Sequence, residues 1–193
     1  MMSTMLLLLV TLSCLAAVKA QATPCCMAAK WSATMSDVQA IANGNDISSD
    51  YYYDADNMAT AIQYYEFGTP QRVLRNRVVT SYSKGIRYNI DADGTCTKED
   101  ITDTMIPNCI PNTATYLGSN YVGTEATGLK YDGWLIPLGS LNLTVSFTNP
   151  DCIPIIEGVV GTVSSSPVNL VLFFNGYKAG ITNPAAFDVP VSC

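Results

Sequence analysis

Cysteine is the residue type in this chain whose number and placement could do chemistry. Of seven cysteines, Cys14 lies in an apolar N-terminal stretch, and the others lie beyond it: Cys25, Cys26, Cys96, Cys109, Cys152 and Cys193. An even set behind an apolar leader predicts pairwise oxidation to disulfides, because such chains enter oxidising compartments. The spacing alone leaves many pairings open.

A metal site is the competing interpretation of these cysteines. Cys25 and Cys26 are adjacent, no Cys-x-x-Cys pair occurs, and the chain contains no histidine to complete a zinc shell. Disulfides are therefore favoured. The lack of histidine also excludes the Ser-His-Asp and Cys-His nucleophile systems, and no carboxylate pair has a spacing that selects a mechanism. The sequence predicts a protein that is not an enzyme.

The acidic residues leave calcium open as a cofactor. Asp91 and Asp93 precede Gly94 in a stretch that resembles the start of a calcium loop, and they are the candidate ligands. An EF-hand loop needs a third Asp or Asn before its glycine and a glutamate about six residues after it. Because the glycine follows Asp93 directly, a turn that ends a strand is the simpler interpretation.

One N-x-[ST] sequon predicts glycosylation at Asn142. The formal net charge of −6 argues against nucleic acid or an anionic membrane surface as the main partner.

Residues 1–20 resemble a secretory signal peptide, with an apolar run and small residues for cleavage after Ala20. The apolar run is shorter than a membrane span requires, and no later stretch qualifies as one. We therefore expect a secreted, extracellular protein with a single domain over residues 21–193.

Strand patterns dominate the rest of the chain. Apolar and polar residues alternate from Leu141 to Phe147 and from Ile86 to Ile90, and Ser83-Lys84-Gly85 predicts a hairpin turn before the second stretch. Val168–Phe174 is almost wholly apolar, which predicts a central strand covered on both faces. A helix is expected only over Ser36–Ala42. The pattern favours a mostly β fold, with antiparallel strands in a sandwich or half-barrel.

An ordered set of motifs resembles the ependymin-related proteins. Near the C-terminus these are Cys152-Ile153-Pro154, Phe173-Phe174, Gly180 to Pro184, and the terminal Cys193. Upstream matches are Cys25 followed by Trp31, Tyr53-Asp54, and the hairpin Tyr82 to Ile86 that leads through Asp91 to Cys96. The resemblance covers nearly the whole chain beyond the leader. The family's arginine-rich strand has no counterpart in Asn57 to Phe67.

The resemblance implies a disulfide pairing of Cys25 with Cys152 and of Cys96 with Cys193. Cys26 and Cys109 lie outside the family's vertebrate pattern and would pair with each other, although Cys25 and Cys26 could exchange roles. It also implies curved antiparallel sheets similar to those of bacterial periplasmic lipoprotein carriers, with an apolar pocket. The resemblance further implies that the protein forms a homodimer, binds calcium, belongs to the extracellular matrix or binds a hydrophobic ligand.

Two apolar strand faces could line such a pocket. The candidate residues are Leu141, Leu143, Val145 and Phe147 on one strand and Leu170, Leu172 and Phe174 on another. The alternative is that these side chains simply fill a core. The sequence thus predicts a secreted glycoprotein that binds a hydrophobic, lipid-like ligand without catalysis. A structural matrix glycoprotein, for example of a calcified shell, that acts through acidic surface and calcium is the alternative.

Overall fold

The computed structural model describes residues 22–44, 48–66, 72–163 and 166–193. The predicted signal peptide and Cys14 lie outside the described residues. Within them the chain forms eleven strands, one short α-helix and one 3₁₀ helix. The elements are β1 (Lys30–Asp37), α1 (Val38–Ala42), β2 (Ser48–Asp54), β3 (Ala59–Tyr65), β4 (Leu74–Ser81), β5 (Ile86–Asp91), β6 (Cys96–Asp100), β7 (Thr115–Val122), β8 (Leu129–Leu138), β9 (Leu141–Thr148), β10 (Pro154–Val163), β11 (Ser166–Ala179) and the 3₁₀ helix Pro184–Phe187.

All the strands belong to one antiparallel sheet with the order β6-β5-β4-β3-β2-β1-β11-β10-β9-β8-β7. The sheet consists of two meanders, β1 to β6 and β7 to β11, in which each strand pairs with its neighbour in the chain. The pairing of β1 with β11 joins them. The mostly β, antiparallel class predicted from the sequence is confirmed, and the sheet is open rather than closed into a barrel.

Apolar alternation explains most of the strand assignments. On β9, Leu143, Val145 and Phe147 are buried, whereas Asn142 and Thr144 are exposed. The predicted hairpin between β4 and β5 is also present, and Gly85 occupies its turn at φ 65°, a conformation that glycine adopts without strain.

Two local predictions need correction. The helix begins at Val38 rather than Ser36, because the Asp37 carboxylate accepts hydrogen bonds from the backbone N–H groups of Gln39 (2.8 Å) and Ala40 (3.2 Å) and so caps the helix there.

Strand β11 is central in the sheet but is not covered on both faces. Phe174 is buried, whereas the adjacent Phe173 is exposed, because the sheet is packed on one face along this stretch.

One face of the sheet, here called the concave face, carries the larger core. Side chains from β1, β2, β8, β9 and β11 pack into a single cluster, which requires the sheet to curve. Its centre is aromatic: Trp31 lies 5.1 Å from Tyr51, 5.5 Å from Tyr53 and 5.6 Å from Phe174, measured between ring centroids. These contacts hold the two meanders together across the β1–β11 pairing.

The opposite face carries a smaller core under the last residues of the chain. Residues 181–193, here called the C-terminal arm, lie across β3 and β4. Arg77 Nη1 donates to the carbonyl oxygen of Ala185 at 2.8 Å, and Ala186 is fully buried beside Tyr52 and Ala61. The arm therefore covers apolar surface that the curved sheet would otherwise expose.

Three disulfides cross-link the fold: Cys25–Cys152, Cys26–Cys109 and Cys96–Cys193. The first and the third are the pairs that the family resemblance implies, and the second joins the two cysteines that lie outside the family's vertebrate pattern. The first two anchor the N-terminal segment, and the third fastens the end of the C-terminal arm to edge strand β6.

The two edges of the sheet differ in charge. Strand β6 carries Lys98, Glu99 and Asp100, all exposed. Strand β7 has no charged residue and exposes Leu117, Tyr121 and Val122. Charge on an edge strand disfavours the addition of another strand.

Replacement of both Cys96 and Cys193 by serine is expected to lower the free energy of unfolding by about 2–4 kcal/mol, since the bridge closes a long loop between residues 97 positions apart. Denaturant titration measures this change. Limited proteolysis should then cut within the C-terminal arm, while Cys26→Ser with Cys109→Ser serves as the control that leaves the arm tethered. An unchanged unfolding curve and a protected arm would contradict this role of the bridge.

Candidate ligand-binding site

The middle of the concave face combines apolar side chains with one carboxylate. Strand register places Glu157 of β10 opposite Val145 on β9 and Leu172 on β11, so all three side chains point to the same face. Phe147 and Phe174 lie on this face as well. The alternation of the three strands therefore brings a charged group into apolar surroundings.

A segment between the two edge strands closes one end of this face. Residues 101–114, here called the strap, run from β6 to β7, and Met105 and Ile110 are buried in the concave-face core. The Tyr53 hydroxyl donates a hydrogen bond to the carbonyl oxygen of Ile106 at 2.7 Å. The backbone N–H of Met27 donates to the carbonyl oxygen of Asn108, also at 2.7 Å. Together with Cys26–Cys109, these contacts hold the strap against the N-terminal segment.

An inner cavity lies beneath the strap and has a volume of about 30 Å³. Its walls include Ile106 and Ile110 of the strap, Trp31, Phe147 and Phe174. The indole Nε1 of Trp31 is buried and has no hydrogen-bond partner among the described residues. A volume of this size admits a group no larger than a water molecule.

A larger outer groove adjoins it, with a volume of about 280 Å³. Met35, Ile62, Leu170 and Leu172 form most of its apolar wall. Three residues line both spaces, namely Tyr51, Glu157 and Phe174, so they form the boundary between inner cavity and outer groove.

Glu157 is half-buried at this boundary and has no hydrogen bond or ion pair among the described residues. Burial raises its pKa to about 7, because the ionised carboxylate loses hydration. Burial also raises the pKa of the Tyr51 hydroxyl well above its usual value, and the nearby Tyr82 and Glu157 add to the effect. The carboxyl group therefore changes charge near neutral pH.

The candidate pocket residues are divided among several places. Val145 and Phe147 line the inner cavity, Leu170 and Leu172 line the outer groove, and Phe174 lines both. Leu143 is fully buried in the core, and Leu141 lines a separate polar depression beside Thr102 and Asp103. The core interpretation thus holds for Leu143.

Sequence reasoning missed the aromatic residues of β1 and β2 and the carboxylate of β10. A signal for the first was the run Tyr51-Tyr52-Tyr53, which puts two of three rings on one face of a strand. The signal for the carboxylate of β10 was that it stands alone among uncharged residues, since Glu157 is the only charged residue between Asp151 and Lys178.

The calcium candidates lie away from these cavities. Asp91 ends β5 and Asp93 lies in the turn that follows. Both are exposed, and Asp93 Oδ1 accepts a hydrogen bond from the Thr95 N–H at 2.8 Å. This bond lowers the pKa of Asp93. Within the described ranges, no three His, Cys, Asp or Glu side chains come close enough together to hold a metal ion. Calcium binding stays a prediction.

Asn142 is exposed on the face opposite to Leu143, so a glycan there would project away from the cavities. Its glycosylation stays a prediction. No helix in the described part of the chain is long and apolar enough to cross a membrane.

A third space of about 650 Å³ lies on the opposite face, beneath the C-terminal arm. Lys30, Asp54 and Lys84 contribute charge to its walls, and Tyr88 and Phe187 contribute apolar surface. Asp54 forms an ion pair with Lys30 at 3.2 Å, so the charges of these two residues compensate each other. The mixed and charged lining makes this space a poorer fit for a hydrophobic ligand than the outer groove.

Glu157→Gln is expected to stabilise the protein at pH 8 and to leave it nearly unchanged at pH 4.5. The usual pKa of a glutamate is 4.5, and that of Glu157 in the folded protein is about 7. Between these values the unfolded chain binds fewer protons, so the stability of the wild type falls as the pH rises. Denaturant unfolding across this range measures the difference, and a difference independent of pH would be evidence against the assignment.

Comparison with known proteins identifies the family. The Ependymin family matches residues 71–193. The chain is 28% identical over 127 residues to Ependymin-related protein 2 of Haliotis asinina, and the match covers 61% of this chain and 63% of that protein, which is less than two thirds of its length. An uncharacterized conserved protein of Thermus thermophilus shares the fold, with a TM-score of 0.50, 11% identity, and coverage of 85% of this chain and 87% of that one. The family match covers more than half of this chain, and the chain therefore belongs to the Ependymin family.

Proposed function

We propose that this protein is a secreted, non-catalytic binding protein that holds a small hydrophobic ligand in the outer groove of the concave face. The observation that carries the proposal is the groove itself, about 280 Å³ in volume and walled mainly by Met35, Ile62, Leu170, Leu172 and Phe174. Known small-molecule sites are mostly apolar and begin near 300 Å³. The groove therefore suits a short alkyl chain or a ligand of similar size.

Secretion is supported by the leader-like N-terminal sequence and by the three disulfides. Disulfides persist in oxidising compartments. The absence of histidine from the sequence removes the histidine-dependent nucleophile systems, which supports binding rather than catalysis. The homodimer that the family resemblance implies stays a prediction.

The expected affinity follows from the size of the groove. Burial of each CH₂ group contributes roughly 0.8 kcal/mol, so a chain of about ten carbons contributes on the order of 8 kcal/mol before the costs of association. Those costs amount to several kcal/mol. Since about 8 kcal/mol before these costs corresponds to roughly 1 μM, we expect dissociation constants well above that value, toward the millimolar range.

A longer ligand would have to enlarge the inner cavity. Ile106 and Ile110 would then move away from Phe147 and Phe174, and the Tyr53–Ile106 hydrogen bond would break. Cys26–Cys109 keeps the strap tethered during such a movement. Ligands no longer than the groove are therefore favoured.

The alternative of a calcium-dependent matrix glycoprotein has weaker support. It depends on the net charge of −6 and the sequon at Asn142. Several of the acidic groups are engaged within the fold: Asp54 pairs with Lys30, and Asp50 pairs with Arg72 at 2.9 Å. The apolar groove has no part in that alternative.

Leu172→Trp is expected to weaken the binding of an uncharged hydrophobic dye, Nile red, at least tenfold, because the larger side chain fills the groove. Phe173→Trp is the matched control, since Phe173 is the next residue on β11 but is exposed on the opposite face. Fluorescence titration with both variants and the wild type measures the effect. Equal binding by all three proteins, or no saturable binding by the wild type, would contradict the proposed site.

A further inference from the structure

The carboxylate of Glu157 is the one charge on β10 or β11 that faces the apolar groove. Its neighbours across the strands are Val145 and Leu172, and it lines both the groove and the inner cavity. An apolar residue at this position would complete the wall. A glutamate here instead imposes the desolvation of an ionisable group on the folded protein, which makes its position informative about the ligand.

Positive charge lies near the groove but does not line it. Arg75 and Arg87 are close enough to Tyr64 to influence its pKa, and Arg87 is paired with Glu99 and Asp103. Among the described residues that line the groove and the inner cavity, none is lysine or arginine. The second acid of the groove, Asp37, already accepts hydrogen bonds from two backbone N–H groups of α1. The groove therefore has two acids and no base.

The other titratable groups near Glu157 are tyrosines. Tyr51 of β2 and Tyr64 of β3 line the groove, Tyr53 of β2 lines the inner cavity, and Tyr82 lies in the turn between β4 and β5, close enough to influence Tyr51. Burial raises the pKa of each of them. All four are thus neutral at physiological pH, which leaves Glu157 as the acid of the groove that has no hydrogen-bond donor of its own among the described residues.

We propose that the groove selects amphiphiles with a cationic amine head, whose ammonium group binds the Glu157 carboxylate while the alkyl chain lies along Leu170, Leu172 and Phe174. This inference rests on the proposed function and specifies its ligand class. An ammonium group supplies both the opposite charge and the hydrogen-bond donors that the carboxylate lacks. A ligand with a carboxylate head would instead place two like charges together in surroundings of low polarity.

The preference should depend on pH in a defined way. An alkylamine stays protonated up to about pH 10, as lysine does, so only Glu157 changes charge between acidic and neutral pH. Because burial raises the pKa of Glu157 to about 7, its carboxyl group is mostly neutral at pH 5.5 and mostly ionised at pH 8. Amine binding should therefore weaken as the pH falls.

The test compares three ligands with the same chain length: decylamine, decan-1-ol and decanoate. Calorimetric titration at pH 8 uses the two ionic ligands below their critical micelle concentrations and decan-1-ol below its solubility limit. It is expected to show decylamine binding at least tenfold more tightly than decanoate. Glu157→Gln should reduce the ratio to less than threefold. Asp91→Asn removes one negative charge from the exposed end of β5, outside the groove, and should leave the ratio unchanged.

A measurement on the wild type at pH 5.5 keeps the test independent of how the variant folds. The ratio of decylamine to decan-1-ol affinity should shrink there, and the alcohol does not change charge between the two pH values. Saturable binding of decanol without a preference for decylamine would overturn the inference and leave the proposed function standing. A wild type that binds none of the three ligands and no Nile red would overturn both. A preference for decylamine that Glu157→Gln leaves intact would assign the selectivity to another group and so contradict the role of Glu157.

Discussion

The pairing of β1 with β11 is the constraint on which the rest of the structure depends. It joins strands from the two ends of the described chain and makes one sheet of two meanders. As a consequence β6 and β7, which are consecutive in the chain, lie at opposite edges of the sheet. Their connection must cross the concave face, and it becomes the strap over the inner cavity. The adjacent Cys25 and Cys26 secure this arrangement, since one bridges to the segment before β10 and the other to the strap.

The same topology explains why the cavities are apolar and yet contain an acid. Because the sheet curves, side chains of β1, β2, β9, β10 and β11 converge on one space, and most of them are large and apolar. Glu157 enters this space through strand alternation, which places it between Val145 and Leu172. Burial deprives the Glu157 carboxylate of hydration. Protonation removes its charge, and a bound cation would balance it, so either one offsets that cost. If Glu157 selects the ligand as we propose, stability and ligand choice depend on the same side chain.

Local patterns in the sequence predicted strands β5, β9 and β11 and the β4–β5 hairpin, because alternation and turn residues act over short distances. Two of the disulfide pairs came from the family resemblance, since spacing alone does not select a pairing, and the third joins the two cysteines that remained. Local patterns could not predict contacts between side chains that are far apart in the chain. The proximity of Trp31, Tyr51 and Phe174 depends on the β1–β11 register, which no local pattern encodes. For the same reason the sequence assigned β11 two covered faces, whereas Phe173 faces outward.

The unlike edges of the sheet have a consequence for assembly. A sheet with two receptive edges can add strands indefinitely, which leads to open fibres. Here the charged residues of β6 disfavour strand addition at one edge, whereas β7 at the other edge is uncharged. A molecule with a single receptive edge can join one copy of itself and is then saturated. The charge distribution along two short strands thus disfavours polymerisation through the edges of the open sheet.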